Sequence, residues 1–335
     1  MINNSIVSYR VRLARNIKGH PFPGRMNAQE REEMSRSVAQ TLTQAASGAA
    51  FTYLPPEKLE GVKAQALKER RLVSPEFAET PRGLILSADE SVSVMLCEED
   101  HLRIQTFSNG GNLSECLQKA QDVETLIDEK HPFAFDETLG FLTACPTNLG
   151  TGLRASALMH LPALTDTTSM RRLIQQAGAS GLAVRGFYGE GTQAAWGYYQ
   201  ISNAVTLGLG EQEIITALAE VTSQIAEFEL KARQTLYQND PVGLTDRVWR
   251  ASGILQNARR ISTQEAMECL AAVRLGVSLD LLPGIDTELA DRLSQESWPG
   301  LLHQAKGPFS SQMERDEIRA TMLRQALTKG EEKVE

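Results

Sequence analysis

Between residues 83 and 107 three apolar runs follow one another with only short polar breaks: GLILS at 83–87, VSVMLC at 92–97 and LRIQTF at 102–107. Asp89-Glu90 separates the first pair and the acidic stretch from Glu98 to His101 the second. Breaks that short suit antiparallel hairpins, because a parallel crossover needs about a dozen residues or more. Further strands are expected at 139–144, 155–161, 182–187 and 197–202, with a helix over 166–177. The first 26 residues show little helical periodicity. Asn27 followed by Glu30 then reads as a capped helix start, with Met34, Val38, Leu42 and Ala45 on one face. Helices are also predicted over 56–72, over 113–129 with Leu113, Leu117, Ala120, Val123 and Ile127 inward, and over 211–238.

At Asn239-Asp240-Pro241 the pattern changes, and proline both removes a donor and restricts its predecessor. Beyond it only short helices are predicted, at 245–259, 263–275, 286–297 and 312–328. The expected architecture is therefore α+β: an antiparallel sheet flanked by helices over 1–239, followed by a small all-helical domain over 240–335. A chain of 335 residues accommodates two such units.

Composition narrows the function classes. With 41% hydrophobic and 23% charged residues the chain reads as globular. A net charge of −8 disfavours a protein that coats nucleic acid through bulk charge, so a phosphate site must be built from locally placed cations. No apolar run approaches the roughly 18 residues that span a bilayer, and MINNSIVSYRVR lacks the core of a secretory signal. Four widely spaced cysteines without a CxxC pair suit free thiols and a cytoplasmic setting, and argue against a zinc cage.

Neither GxxxxGK[ST] nor GxGxxG after a strand is present. Arginine instead recurs at strand ends and loop mouths. In SYRVR, Arg10 and Arg12 project to the same side of an extended segment. Glu98, Glu99 and Asp100 lead into Arg103, Cys145 opens a loop that ends near Arg154, and Arg185 precedes a glycine-rich stretch containing Glu190. Singly, each reads as a solvated strand residue, a hairpin tip, a core cysteine or a plain turn. Gathered together, five guanidinium groups need a polyanion to neutralise them, and a nucleoside triphosphate with magnesium fits their forked donors.

The strings SYRVRLARN, EEDHLRI, CPTNLGTGLRAS and VRGFYGEG, in this order, resemble the catalytic domain of the phosphagen (guanidino) kinases over about residues 5 to 232. The resemblance implies transfer of the ATP γ-phosphoryl group to a guanidinium nitrogen, with Mg2+ carried on phosphate oxygens and water rather than on protein ligands. It implies that Arg10, Arg12, Arg103, Arg154 and Arg185 bind phosphate, and that Ser8, Ala155, Ser156, Gly186, Tyr188 and Gly189 complete the nucleotide site. Arg71 stands where the family has an adenine-side histidine. Glu99 and Glu190 become the carboxylates that hold the acceptor, and Cys145 the reactive cysteine, a thiolate lying against the guanidinium. Cys97 replaces an asparagine of the family, and a packing role is expected for it.

Small-molecule members of the family carry a helical domain ahead of SxRxR; here that string begins at Ser8, so such a domain is expected to be missing and the acceptor pocket open. An arginine still within a polypeptide then becomes the acceptor, as in the bacterial protein-arginine kinases. Those also have a helical C-terminal domain resembling residues 241–329, where Arg315, Asp316, Arg319 and Ala320 match an RDxxRA motif that binds phosphoarginine allosterically. The resemblance further implies CtsR-type repressor and unfolded proteins as substrates, the activator McsA, the Clp protease as consumer of tagged proteins in the stress response, and a homodimer. Two alternatives stand beside it: a kinase of free arginine or another small guanidino compound, and a phosphoarginine-binding adaptor with little catalysis.

Overall fold

In the segment IVSYRVRLAR, apolar and polar residues alternate, and the result is β1 (Ile6–Arg15), a ten-residue strand in the middle of the sheet. The protein is described here from a computed structural model covering residues 4–45, 50–110, 112–165, 169–187 and 194–331. After β1 come helix α1 (Ala28–Gln44) and β2 (Phe51–Leu54), then α2 (Gly61–Glu69) and α3 (Pro75–Glu79). Strands β3 (Leu84–Ser87), β4 (Val92–Leu96) and β5 (Leu102–Ser108) form the expected meander, and α4 (Leu113–Asp128) follows. A small hairpin, β6 (Phe135–Asp136) with β7 (Gly140–Phe141), precedes β8 (Leu153–His160). Then come α5 (Pro162–Thr165), α6 (Ser169–Ala179), β9 (Leu182–Gly186), β10 (Tyr198–Asn203) and the long α7 (Glu211–Asn239). The remainder is helical: α8 (Pro241–Asn257), α9 (Thr263–Ser278), α10 (Thr287–Glu296), α11 (Pro299–Lys306) and α12 (Gln312–Glu331).

Eight strands pair antiparallel in the order β2-β3-β4-β5-β1-β8-β10-β9. Register sorts the side chains. Val94, Ile104, Leu13 and Leu153 lie in one cross-strand row, Thr106, Val11 and Ala155 in the next, and this face is buried beneath α1, α4 and α7. Residues one position along point the other way. One such row runs Ser93, Gln105, Arg12, Arg154, and another runs Phe107, Arg10, Ser156, Ser202.

That second face is covered only at its two ends. Leu84, Leu86 and Met95 pack against Leu67 of α2 and Phe77 of α3. At the other end Leu158 and Tyr198 pack against Ala271 of α9. Between these walls the strip formed by β5, β1 and β8 is left for its arginines. The helical region has its own core, drawn from Val248, Leu255, Leu270, Val273, Leu293 and Leu323. It is tied to the sheet by Arg274, which is 2% exposed and donates to Asn4 O (2.9 Å), His160 Nδ1 (3.2 Å) and Asp291. Glu69 at the end of α2 accepts the Gly300 and Leu301 amides at 3.0 and 2.9 Å, closing the open N-terminus of α11.

Several expectations change. The helix expected over 56–72 is a short 3-10 turn at Pro56–Lys58 and then α2, because Glu60 between them is extended and breaks the helical run. The strand expected at 139–144 is only the two residues of β7, paired with β6 outside the main sheet. In place of one helix over 166–177 there are α5 and α6, with 166–168 outside the described residues. Asp240 caps α8, placing its start at Pro241 rather than 245. The sequence reading missed β2 and α11.

Candidate active site

The elements that flank β1 bring most of the sequence-selected residues to one face. Arg12 opposes Arg154, Arg10 opposes Ser156, and Arg103 opposes Ala14, two residues along the strand from Arg12. Arg185 opposes Gln200, which itself opposes Leu158, so Arg185 shares this face at its far side and is exposed. Ser8 opposes Leu158 and accepts Arg71 Nη2 at 2.9 Å through its Oγ. Arg71 holds φ +65°, and its guanidinium lies 5.7 Å from the centre of the Phe187 ring. Ala155 is the exception: its side chain points into the core and its amide is bonded to Asn203 Oδ1, so only the adjacent Arg154 and Ser156 face the strip.

Positive charge here is under-compensated. Arg10 donates to Gln200 Oε1 at 3.3 Å, and burial together with Arg12, Arg71, Arg103 and Arg154 holds its pKa well below the ordinary arginine value. Burial, then Arg103 and Arg154, takes Arg12 down to about 9, and burial, then Arg185 and Arg103, lowers Arg154. Buried Nε atoms of both Arg12 and Arg154 have no hydrogen-bond partner. Unpaired donors on crowded guanidinium groups are costly alone and become favourable when an anion supplies the missing oxygens. A polyphosphate matches that requirement. Among the described residues no group of three His, Cys, Asp or Glu side chains could hold a metal ion.

The carboxylate edge is built with care. Arg103 pairs with Glu98 at 2.8 Å and with Glu99 at 3.2 Å, and the Glu99 side chain keeps 43% exposure. Next to it, buried Asp100 accepts Asn16 Nδ2 at 2.6 Å and the Ala144 amide at 2.7 Å through one oxygen. Asn16 in turn accepts the His101 amide at 2.9 Å. This network clamps the Glu99 turn to the end of β1 and to the residue preceding Cys145. Cys97 takes φ +52° at the start of the turn; it is buried, and burial raises its thiol pKa, in keeping with a packing role.

Cys145 is partly exposed, its Sγ 3.0 Å from Thr147 Oγ1. Gly150, at φ +95°, lets the loop pass so close to Thr206 that a Cβ would stand 2.3 Å from its carbonyl oxygen. Arg15, wholly buried, fastens the loop's end by donating to Thr151 O at 2.8 Å while pairing with Glu124 and Glu211. The cleft that results has a volume of about 220 Å³, with Arg12, Arg103, Arg154, Glu99 and Cys145 in its walls. Three guanidinium groups, an acid and a thiol thus share one cleft, a donor set able to hold a phosphate beside a cationic acceptor.

Tyr188, Gly189 and Glu190 lie outside the described residues. In the helical region Arg319 is not a solvated surface group: it is fully buried and donates to Ser297 O, Ile261 O and Asp316 at 2.8, 2.9 and 2.5 Å. Its Nη2 and the Nε of Arg315 are buried without hydrogen-bond partners, the latter 3.8 Å from Asp316, whereas Ala320 is packed in the helical core. Sequence reasoning noted Glu98 beside Glu99 without giving it a role, and it missed Gln200, because only register puts that residue beside Arg10.

Fold and cleft together define a guanidino phosphotransferase, and comparison with known proteins agrees. The family described as ATP:guanido phosphotransferase, C-terminal catalytic domain, matches residues 33–232, and the protein-arginine kinase McsB C-terminal domain matches residues 241–335. A protein-arginine kinase of Bacillus cereus (strain G9842) is 42% identical over 96% of this chain and 92% of its own length. That of Bacillus subtilis (strain 168) is 41% identical over 96% and 90%. Among solved structures, lombricine kinase superposes with a TM-score of 0.60 at 26% identity, covering 69% of this chain and 67% of that one. The duplicated taurocyamine kinase of Schistosoma mansoni, bound to transition-state analogue components, gives 0.63 at 26% identity over 78% of this chain and 38% of its own. The chain belongs to the ATP:guanido phosphotransferases, in the branch of the protein-arginine kinases.

Proposed function

We propose that this protein transfers the γ-phosphoryl group of ATP to arginine side chains of other proteins. The observation that carries this reading is one cleft that brings Arg12, Arg103 and Arg154 together with Glu99 and Cys145, two of its arginines keeping a buried Nε without a hydrogen-bond partner, with Arg10 on the same face of the sheet. The arginines, with Arg185, hold the triphosphate and the charge spread over the transferring oxygens, where phosphoryl-transfer catalysis mostly lies. Arg71 and Ser8 border the nucleoside end, with Ser156 and Gly186 beside them, and Tyr188 and Gly189 are assigned there by motif. Magnesium, when bound with the nucleotide, would supply further charge neutralisation. Glu99 fixes the acceptor guanidinium, aims one nitrogen at phosphorus and takes its proton as the N–P bond forms and the bond to the β-phosphate oxygen breaks. Glu190 is assigned the second carboxylate on its motif alone. Cys145 is assigned a place against the acceptor guanidinium on its motif and its position in the cleft.

The division at residue 240 and the RDxxRA segment complete the reading. Residues 240–335 form a regulatory domain in which Arg315, Asp316 and Arg319 take up phosphoarginine. Arg319 Nη2 and Arg315 Nε, buried without hydrogen-bond partners, support an anion there. By its family the protein works in the cytoplasm as a homodimer, acts with McsA on CtsR-type repressors and unfolded proteins, and marks them for a Clp protease under stress. Among the described residues no helix is long and apolar enough to cross a membrane. The deciding experiment is phosphorus NMR of an arginine-containing protein after incubation with MgATP. A phosphoramidate resonance that vanishes in mild acid is expected; phosphoserine, or phosphorylation of free arginine only, would overturn the reading.

A further inference from the structure

Half of the large apolar side chains that the described residues leave exposed fall in two short segments. Phe135 and Leu139 belong to the β6–β7 hairpin and are 59% and 43% exposed; Val205, Leu207 and Leu209, between β10 and α7, are 45–50% exposed. The two segments meet at one place, the loop that begins with Cys145. Gly150 N donates to Leu139 O and Gly150 O accepts the Phe141 amide, both at 2.8 Å. Thr206, between Val205 and Leu207, donates its hydroxyl to Thr147 O and Leu149 O at 3.0 and 2.6 Å and accepts the Thr151 amide at 3.1 Å. Thr147 and Asn148 of this loop line the 220 Å³ cleft with Cys145. One face of the loop thus serves the reacting groups, and its flanks carry the apolar cluster.

Soluble surfaces seldom gather apolar side chains in this way without something to cover them. Acidic side chains are interleaved with the cluster: Asp136 and Glu137 are exposed between Phe135 and Leu139. Such a rim disfavours an acidic partner and suits a segment that is both apolar and cationic. We infer that Phe135, Leu139, Val205, Leu207 and Leu209 form a docking lip for an extended stretch of substrate polypeptide whose arginine has apolar neighbours. This rests on the proposed protein-arginine kinase activity and deepens it. Leucine, valine and phenylalanine are mostly buried in folded proteins, so a lip that reads them beside an arginine favours unfolded chains.

The test uses the full chain and two fluorescein-labelled peptides, each with one arginine, flanked by Leu, Val and Phe in one and by Gly and Ser in the other. Anisotropy should show the apolar-flanked peptide binding roughly tenfold or more tightly, the scale of burying one or two side chains. Leu209→Ser combined with Phe135→Ser should bring the two affinities within about twofold, leave the polar peptide unchanged and leave the oligomeric state in light scattering unchanged. Equal affinities for the unaltered protein, or an undiminished preference in the variant, would overturn the lip. So would a variant that changes only the oligomeric state, since a second copy of the chain would then be the occupant. Phosphoryl transfer is read in parallel: a retained binding preference with neither peptide phosphorylated would sink the proposed activity, not the docking surface.

Discussion

Arg12 and Arg154 face each other across β1 and β8 at a cost in stability, since like charges crowd in a half-buried strip. Removing one should therefore move function and stability in opposite directions. Arg12→Gln is expected to lower kcat by about 10²- to 10³-fold, the range for loss of a donor aimed at developing charge, while raising the melting temperature. A variant that melts earlier would show that the strip is a structural network and not a strained binding site. Glu99→Gln should lower kcat by roughly 10²- to 10⁴-fold with folding unchanged, as loss of a proton acceptor does. His160 carries a pH effect. It is fully buried beside Arg274 and Arg233, and burial, then those cations, holds its pKa well below the usual histidine value. Below about pH 6.5 the unfolded chain binds a proton that the folded protein refuses, so this contribution is intact above that pH and is lost as pH falls. Urea midpoints should drop between pH 7.5 and 5.5, and His160→Gln should flatten the drop; an unaltered pH slope in the variant would refute the assignment.

At the scale of elements, sequence patterns foretold what local chemistry controls. Asn27 and Glu30 form the reciprocal cap expected of them, with distances of 3.0 and 2.7 Å, and the two acidic breaks after residues 87 and 97 do turn the chain between β3, β4 and β5. What escaped was governed from a distance. The ten residues of β1 read only as an extended segment, because their neighbours β5 and β8 lie some ninety and a hundred and fifty residues away in the chain. Likewise α11 has eight residues, too few to stand alone, and its start is satisfied by Glu69 from α2. Glu69→Ala should leave the Gly300 and Leu301 amides without their acceptor at a cost of about 1 kcal/mol, read as roughly fivefold faster amide exchange at those two residues. Unchanged exchange there would mean that packing against α2, not the carboxylate, secures the helix.

Across the whole molecule, the arginine-bearing face is what remains after two groups of helices have covered the sheet's ends, α2 and α3 at one and α9 at the other. Arg274 locks the second group in place, and Arg274→Ala would strand Asp291, Asn4 O and His160 together. A loss of about 3 kcal/mol or more in urea unfolding is expected; a loss under roughly 0.5 kcal/mol would mean the contact is incidental. The four motif strings were enough to identify the family and nearly all the residues of the cleft, because residue type and local spacing are written in the chain itself. They also named Ala155, whose side chain the strand's alternation turns into the core. Opposing Arg12 to Arg154, bringing Gln200 to Arg10, burying Arg319 and setting the apolar lip beside Cys145 all depend on strand register and helix docking. Those are properties of pairings between distant segments, fixed only when the sheet closes around β1.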